Sequence, residues 1–183
     1  MDKGIVSGRY ARALFRFAKK NGKDGVVYDE TIALSQHFAQ YAQIRRILSN
    51  PVMKQSEKEE VLYALFKGSI SDELKNFIGL ILSKKREDLL QSICLIYQDL
   101  YREENRILNV ELTTASPVDE KTEKEVVKKI EDLTHDTVCL KTFIDPEIIG
   151  GYILKWDTYR WDDSVVKRLR RVERSITETM NNL

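Results

Sequence analysis

The stretch Asp145-Pro146-Glu147-Ile148-Ile149-Gly150-Gly151-Tyr152-Ile153-Leu154-Lys155, followed by Asp162-Asp163-Ser164 and a run from Val165 to Met180, reads as a turn, a strand, a hairpin and a helix. Pro146 fixes its own φ and biases Asp145 toward extended geometry, so a preceding strand ends here. Gly150-Gly151 sets two residues without a Cβ beside an alternating run, which suits a bulge, a positive φ or a close backbone approach. Tyr152, Leu154 and Trp156 fall on one face of that run, and Ile153, Lys155 and Asp157 on the other, the pattern of a half-buried strand. Asp157-Thr158 lacks the Asn-Gly or Asp-Gly pair of a two-residue hairpin, so a tight turn before Tyr159-Arg160-Trp161 is allowed rather than compelled. Ser164, or an aspartate before it, is the candidate N-cap of a final helix whose apolar stripe is Val165, Leu169, Val172, Ile176 and Met180.

Working back to the N-terminus, the period is helical. Val6, Tyr10, Ala13, Leu14 and Phe17 make the stripe of a first helix stopped by Asn21-Gly22. Asp24 is the candidate cap of a second helix, with Val27, Thr31, Leu34, Phe38 and Tyr41 inward. Ile44, Ile47 and Leu48 mark a short third helix ended at Ser49-Asn50-Pro51. Ser56-Glu57-Lys58-Glu59 reads as a capping box opening a fourth helix, which Gly68-Ser69 closes. Ser71 or Asp72 caps a densely apolar fifth helix, with Lys84-Lys85-Arg86 at its dipole's negative end. The sixth, from about Glu87 to Glu104, buries Leu89, Leu90, Ile93, Tyr97 and Leu100. At Arg102 to Arg106 the period switches to alternation: Leu108, Val110 and Leu112 share a strand face, and the strand ends near Ser116-Pro117. Asp119 caps a helix with Val126, Ile130 and Leu133 inward, and Val138, Leu140 and Thr142 belong to a second strand. The predicted class is α+β: a six-helix bundle over residues 1–105, then a small α/β domain over 106–183.

The 183 residues hold 30 Lys plus Arg against 29 acidic side chains, so no global field draws the chain onto nucleic acid or an anionic membrane. Charged residues are 32% and apolar ones 42%, with three prolines and eight glycines, a globular and helix-rich composition. The start of the chain carries no secretory pattern, and no run approaches the ~18 apolar residues of a membrane span. Cys94 and Cys139 have no cysteine near them in sequence, and two buried thiols are expected. Neither a GxxxxGK[ST] loop nor a GxGxxG after a strand is present, so no nucleotide cradle is expected. His37 and His135 stand apart, which argues against a zinc site, and no cofactor is expected. Asp162-Asp163-Ser164 has carboxylates beside a hydroxyl but no histidine nearby, and capping explains it with less. Lys167-Arg168-Leu169-Arg170-Arg171, extended by Arg174, is either a solvated face or a partner-binding surface. A nucleic-acid-binding regulator is the second reading of this helix, although neither stacking aromatics nor a recognition helix accompanies it.

The string IDPEIIGGYILK, a short hairpin and DDSVVKRL together resemble the C-terminal signature of the F-type ATP synthase delta subunits, relatives of the mitochondrial oligomycin-sensitivity-conferring protein. Its residues here are Asp145, Pro146, Gly150, Gly151, Asp162 and Ser164. Asp157, Arg160 and Asp163 depart from the family's usual glycine, apolar and small residues. Arg9-Tyr10-Ala11-Arg12-Ala13-Leu14-Phe15, Leu48-Ser49-Asn50-Pro51 and Leu74-Lys75-Asn76-Phe77 are similar to family segments in the same order. The resemblance implies a non-catalytic stator subunit of the peripheral stalk, which resists rotor torque during proton-driven ATP synthesis. It is expected to sit at the cytoplasmic face of the inner membrane, as a monomer within the complex and without inserting in the bilayer. It implies that the N-terminal domain holds the N-terminus of an alpha subunit in a groove between helices one and five. The residues expected there are Tyr10, Ala13, Leu14, Asn76, Gly79 and Leu80. The C-terminal domain is expected to grip the C-termini of the b subunits, with Lys167, Arg168 and Arg171 as contacts.

Overall fold

The computed structural model describes residues 3–66, 69–156 and 158–181. Gly68 as a helix stop, Asp157 at the hairpin tip, and the side chains of Ile176 and Met180 lie outside the described residues. The chain divides into two compact units, Met1–Asn105 and Arg106–Leu183.

The first unit is helical: α1 (Lys3–Lys20), α2 (Asp24–Gln40), α3 (Ala42–Leu48), α4 (Gln55–Ala64), α5 (Asp72–Ser83) and α6 (Leu90–Glu104), with a 3-10 turn at Glu87–Leu89. The buried face of α1 is Val6, Ser7, Ala11, Leu14, Phe15 and Ala18; Val6 and Leu14 are inward as expected, while Ala13 and Phe17 are exposed, so the helix is rotated from the stripe expected. The reason is steric. Ser7, Ala11 and Ala18 lie at spacings of four and seven, and small side chains let α1 lie close along α6. Phe15 fills the remaining space, edge-on to Tyr97 at 5.6 Å between ring centroids. The Tyr97 hydroxyl donates to the Asp24 carbonyl at 3.0 Å. Gln98 Nε2 donates to the Thr31 carbonyl at 3.0 Å and the Ser35 hydroxyl at 3.1 Å, so these buried polar groups are satisfied.

Two caps differ from expectation. Asp24 is the first residue of α2, and Lys23, at the cap, offers no side-chain bond. In α4 the Glu57 carboxylate accepts from the Lys54 amide at 3.0 Å, so the helix starts before Ser56. A third-position acid reaches back three residues, and with Glu57 in that role the cap is Lys54. Ser71 does cap α5, accepting from the Leu74 amide at 3.2 Å. Gly22, at φ +64°, closes α1.

In the second unit β1 (Ile107–Thr114), α7 (Glu120–Thr134) and β2 (Thr137–Ile144) form a parallel crossover. A 3-10 turn (Pro146–Ile148), β3 (Tyr152–Trp156), β4 (Tyr159–Asp162) and α8 (Val165–Asn181) follow. The sheet order is β2-β1-β3-β4, with β3 antiparallel to both its neighbours. Leu112 stands beside Thr142 and Leu154, and Val110 beside Leu140 and Trp156. Trp156 pairs with Tyr159. Asp119 caps α7, accepting from the Thr122 amide at 3.3 Å. Leu133, expected inward, is 83% exposed, because the face of α7 set on the sheet is Val126, Val127 and Ile130. Ile153 is buried although it opposes the Leu154 face, so β3 is covered on both sides rather than half-buried. Cys94 is buried, and burial pushes its thiol pKa up to about 12, which makes it inert. Cys139, expected to be buried, is exposed on the outer strand β2.

Candidate partner-binding surfaces

The glycine pair joins the sheet to α8. Asp145 is extended before Pro146 and its carboxylate accepts from the Glu147 amide at 3.0 Å, opening the 3-10 turn. Gly151 has φ +76°, and a Cβ there would lie 2.2 Å from the Asp163 carbonyl oxygen. The Val165 amide donates to the Gly150 carbonyl at 2.9 Å and the Asp163 amide to the Tyr152 carbonyl at 3.0 Å. Only glycine meets both the backbone conformation and the approach. Asp162 accepts from the Ser164 amide at 3.2 Å and hydroxyl at 2.7 Å, and the Ser164 hydroxyl oxygen accepts from the Lys167 amide at 3.2 Å. The Ser164 hydroxyl is the chief cause holding the Asp162 carboxyl below the usual carboxylate range. These six signature residues form a structural joint, with the hydroxyl committed to capping rather than poised for attack.

Among the described residues no cluster of His, Cys, Asp and Glu is arranged to hold a metal ion. The basic residues of α8 divide in two. Arg168 lies in a bidentate pair with Asp163, at 3.1 and 2.6 Å, and Lys167 Nζ donates to the Asp162 carbonyl at 3.2 Å. Arg171, with Lys167, lines a concavity of about 740 Å³ between α8, the 3-10 turn and the sheet. Leu169 and Val172, from the expected apolar stripe, are 55% and 56% exposed.

In the helical unit Tyr10 packs edge-on against Phe77, with centroids 6.3 Å apart, joining α1 to α5. Arg86 lies over the Tyr10 ring at 5.5 Å and donates to its hydroxyl at 3.0 Å. Beside this contact Ala13 and Phe17 on α1, and Asn76 and Leu80 on α5, are exposed. Leu14 is not part of that surface, being 2% exposed in the core. Gly79 is on the far side of α5: its carbonyl accepts from Gln55 Nε2 at 3.5 Å, and a Cβ on it would meet Glu59 at 3.6 Å. Most of the apolar surplus of α5 goes inside, since Leu74, Phe77, Ile78, Ile81 and Leu82 are all buried. Phe17, which sequence reading assigned to the core, is exposed and shares a helix face with Tyr10 and Ala13 at spacings of seven and four.

The family described as ATP synthase delta (OSCP) subunit matches residues 6–176. The chain belongs to this family. Its relatives include the ATP synthase subunit delta of Phocaeicola vulgatus, 37% identical over 93% of this chain and 92% of that one. The subunit delta of Parabacteroides distasonis is 36% identical over 97% of this chain and 99% of the relative. The fold is similar to a chain of the Toxoplasma gondii mitochondrial ATP synthase hexamer, with a TM-score of 0.71 and 21% identity over 94% of this chain and 97% of that one. As a delta-family protein the chain is a non-catalytic peripheral-stalk subunit of an F-type ATP synthase. The nucleic-acid reading of α8 finds no support among these relatives.

Proposed function

We propose that this delta-family chain joins the catalytic head to the stalk through one surface on each unit. The helical unit, read as the family's six-helix bundle over residues 1–105, holds the N-terminal segment of an alpha subunit in the α1/α5 groove. The α/β unit, residues 106–183, holds the C-terminal ends of the b subunits. The chain then works as a monomer within the complex, on the cytoplasmic face of the inner membrane. Among the described residues no helix is long and apolar enough to cross a membrane, which fits attachment through partners.

The observation that carries this reading is the exposed apolar set Ala13, Phe17 and Leu80 flanking the Tyr10–Phe77 contact. An amphipathic helix inserts anchors at spacings of three and four into such a groove, and Ala13 leaves room for its backbone. Two joints on one chain reinforce each other, because binding at one turns the other into an intramolecular event. Titrating the whole chain with a peptide of the cognate alpha-subunit N-terminus tests the groove. Saturable binding, weakened at least tenfold by Ala13→Trp and by Leu80→Arg with the unfolding midpoint unchanged, is expected. A peptide that binds both variants as tightly as the original chain would eliminate this surface.

A further inference from the structure

The concavity beside α8 has a floor and a wall of different chemistry. Ile148 and Ile153, both buried, and the half-buried Val166 make the floor. Arg170, Arg171 and Arg174 make the wall, on the side of α8 away from Leu169 and Val172. These three arginines form no ion pair among the described residues, unlike Arg168, whose guanidinium is taken by Asp163. Of the three acids in the lining, Asp145 and Asp162 are engaged and Glu147 is exposed beside them. Asp145 accepts from the Glu147 amide, and Asp162 accepts from Ser164 and from Arg160 at 3.1 Å. The volume, about 740 Å³, is room for several side chains of a visiting segment.

We propose that this concavity receives an acidic amphipathic segment of the stalk, which seats an apolar side chain on Ile148, Ile153 and Val166 while its carboxylates meet Arg170, Arg171 and Arg174. The inference rests on the reading that the α/β unit binds the stalk, and specifies the chemistry of the partner. Charge complementarity selects the occupant: guanidinium groups form bidentate pairs with carboxylates, and an apolar seat within a charged rim is the anatomy of a protein interface. A duplex nucleic acid would engage the arginines but not the apolar floor. Of the stalk contacts expected at Lys167 and Arg168, Arg168 is set aside because Asp163 takes its guanidinium, while Lys167 lines the same concavity and donates to the Asp162 carbonyl.

The test measures binding of the whole chain to the soluble part of the cognate b subunits, at about 0.05 M and about 0.3 M salt. The expected result is an affinity that falls with salt, together with a loss of at least tenfold in the double variant Arg170→Glu, Arg174→Glu and a flatter salt dependence. Both side chains are exposed, so the tryptophan-monitored unfolding midpoint should not move. A Leu169→Asp variant separates the alternatives. If it abolishes binding while the arginine reversal changes nothing, the stalk grips the apolar stripe, and the proposal falls while the stalk reading stands. If the original chain binds the alpha-subunit peptide but not the b subunits at either salt, the stalk reading falls and the proposal with it. Displacement of the b subunits by a DNA duplex at lower concentration than by unlabelled b subunits would also overturn it.

Discussion

The two units reach order by different means. In the helical unit, side chains from all six helices meet in one apolar core, from Leu14 and Val27 to Ile93 and Tyr97. In the α/β unit the buried apolar side chains among the described residues are Val110, Leu112, Ile148 and Ile153. A small unit with so thin a core draws more of its stability from specific backbone and capping bonds. In this chain those bonds are gathered between Gly150 and Lys167, so single substitutions there weigh more than comparable changes in the helical unit.

That contrast can be broken most severely at Gly151. Gly151→Val sets a Cβ 2.2 Å from a backbone carbonyl at a φ of +76°, neither of which a flexible side chain can relieve. A loss of about 3 kcal/mol is expected. Both tryptophans, Trp156 and Trp161, lie in this unit, so their fluorescence reports its unfolding while circular dichroism follows mainly the helices. The tryptophan midpoint should fall sharply in denaturant and the helical midpoint should hold; an unmoved tryptophan midpoint would show the contact to be incidental.

A smaller effect is expected at Asp162. Its pKa is lowered in the folded chain, chiefly by the Ser164 hydroxyl, so its stabilisation is present above the unfolded pKa and is lost as pH falls through the folded one. Below about pH 4, the ordinary carboxylate range, the tryptophan-reported midpoint should decline with acid. Asp162→Asn should flatten that slope and cost about 1 kcal/mol at neutral pH, the scale of a lost cap. An unchanged acid slope would show that the carboxylate is not the source.

The smallest change is expected from cutting the chain. A fragment of residues 1–105 retains the whole helical core and should keep the cooperative unfolding midpoint of the helices. Melting without a cooperative transition would show that the helical unit leans on the second unit.

Much of the fold was legible because its rules are local. The change of period near Arg106, the stop at Gly22, the caps at Ser71, Asp119 and Ser164, and the glycine pair each need only a few neighbouring residues to be recognised. What was not legible depended on distant partners. The face of α1 is set by small residues, Ser7, Ala11 and Ala18, that score poorly as apolar yet pack closest. Gly79 invited a groove reading but faces α4, which only the placement of Gln55 and Glu59 reveals. Ile149 adopts φ +64°, a conformation that no rule would assign to a β-branched residue. At the candidate sites, which arginine is open and which is paired followed from the hairpin's delivery of Asp163 to Arg168, beyond the reach of spacing alone.

The attachment of α8 also has a mechanical side. Its principal packing is at the 3-10 turn, where its first amide is bonded to Gly150, and a 17-residue helix extends about 25 Å from such a root. A load applied along that length acts as on a beam clamped at one end, with the bending moment greatest at the clamp. Gly151 against Asp163, and Ser164 beneath the first turn, stand where the moment peaks, so the stiffness of the whole arm is set by a handful of short backbone contacts at its base.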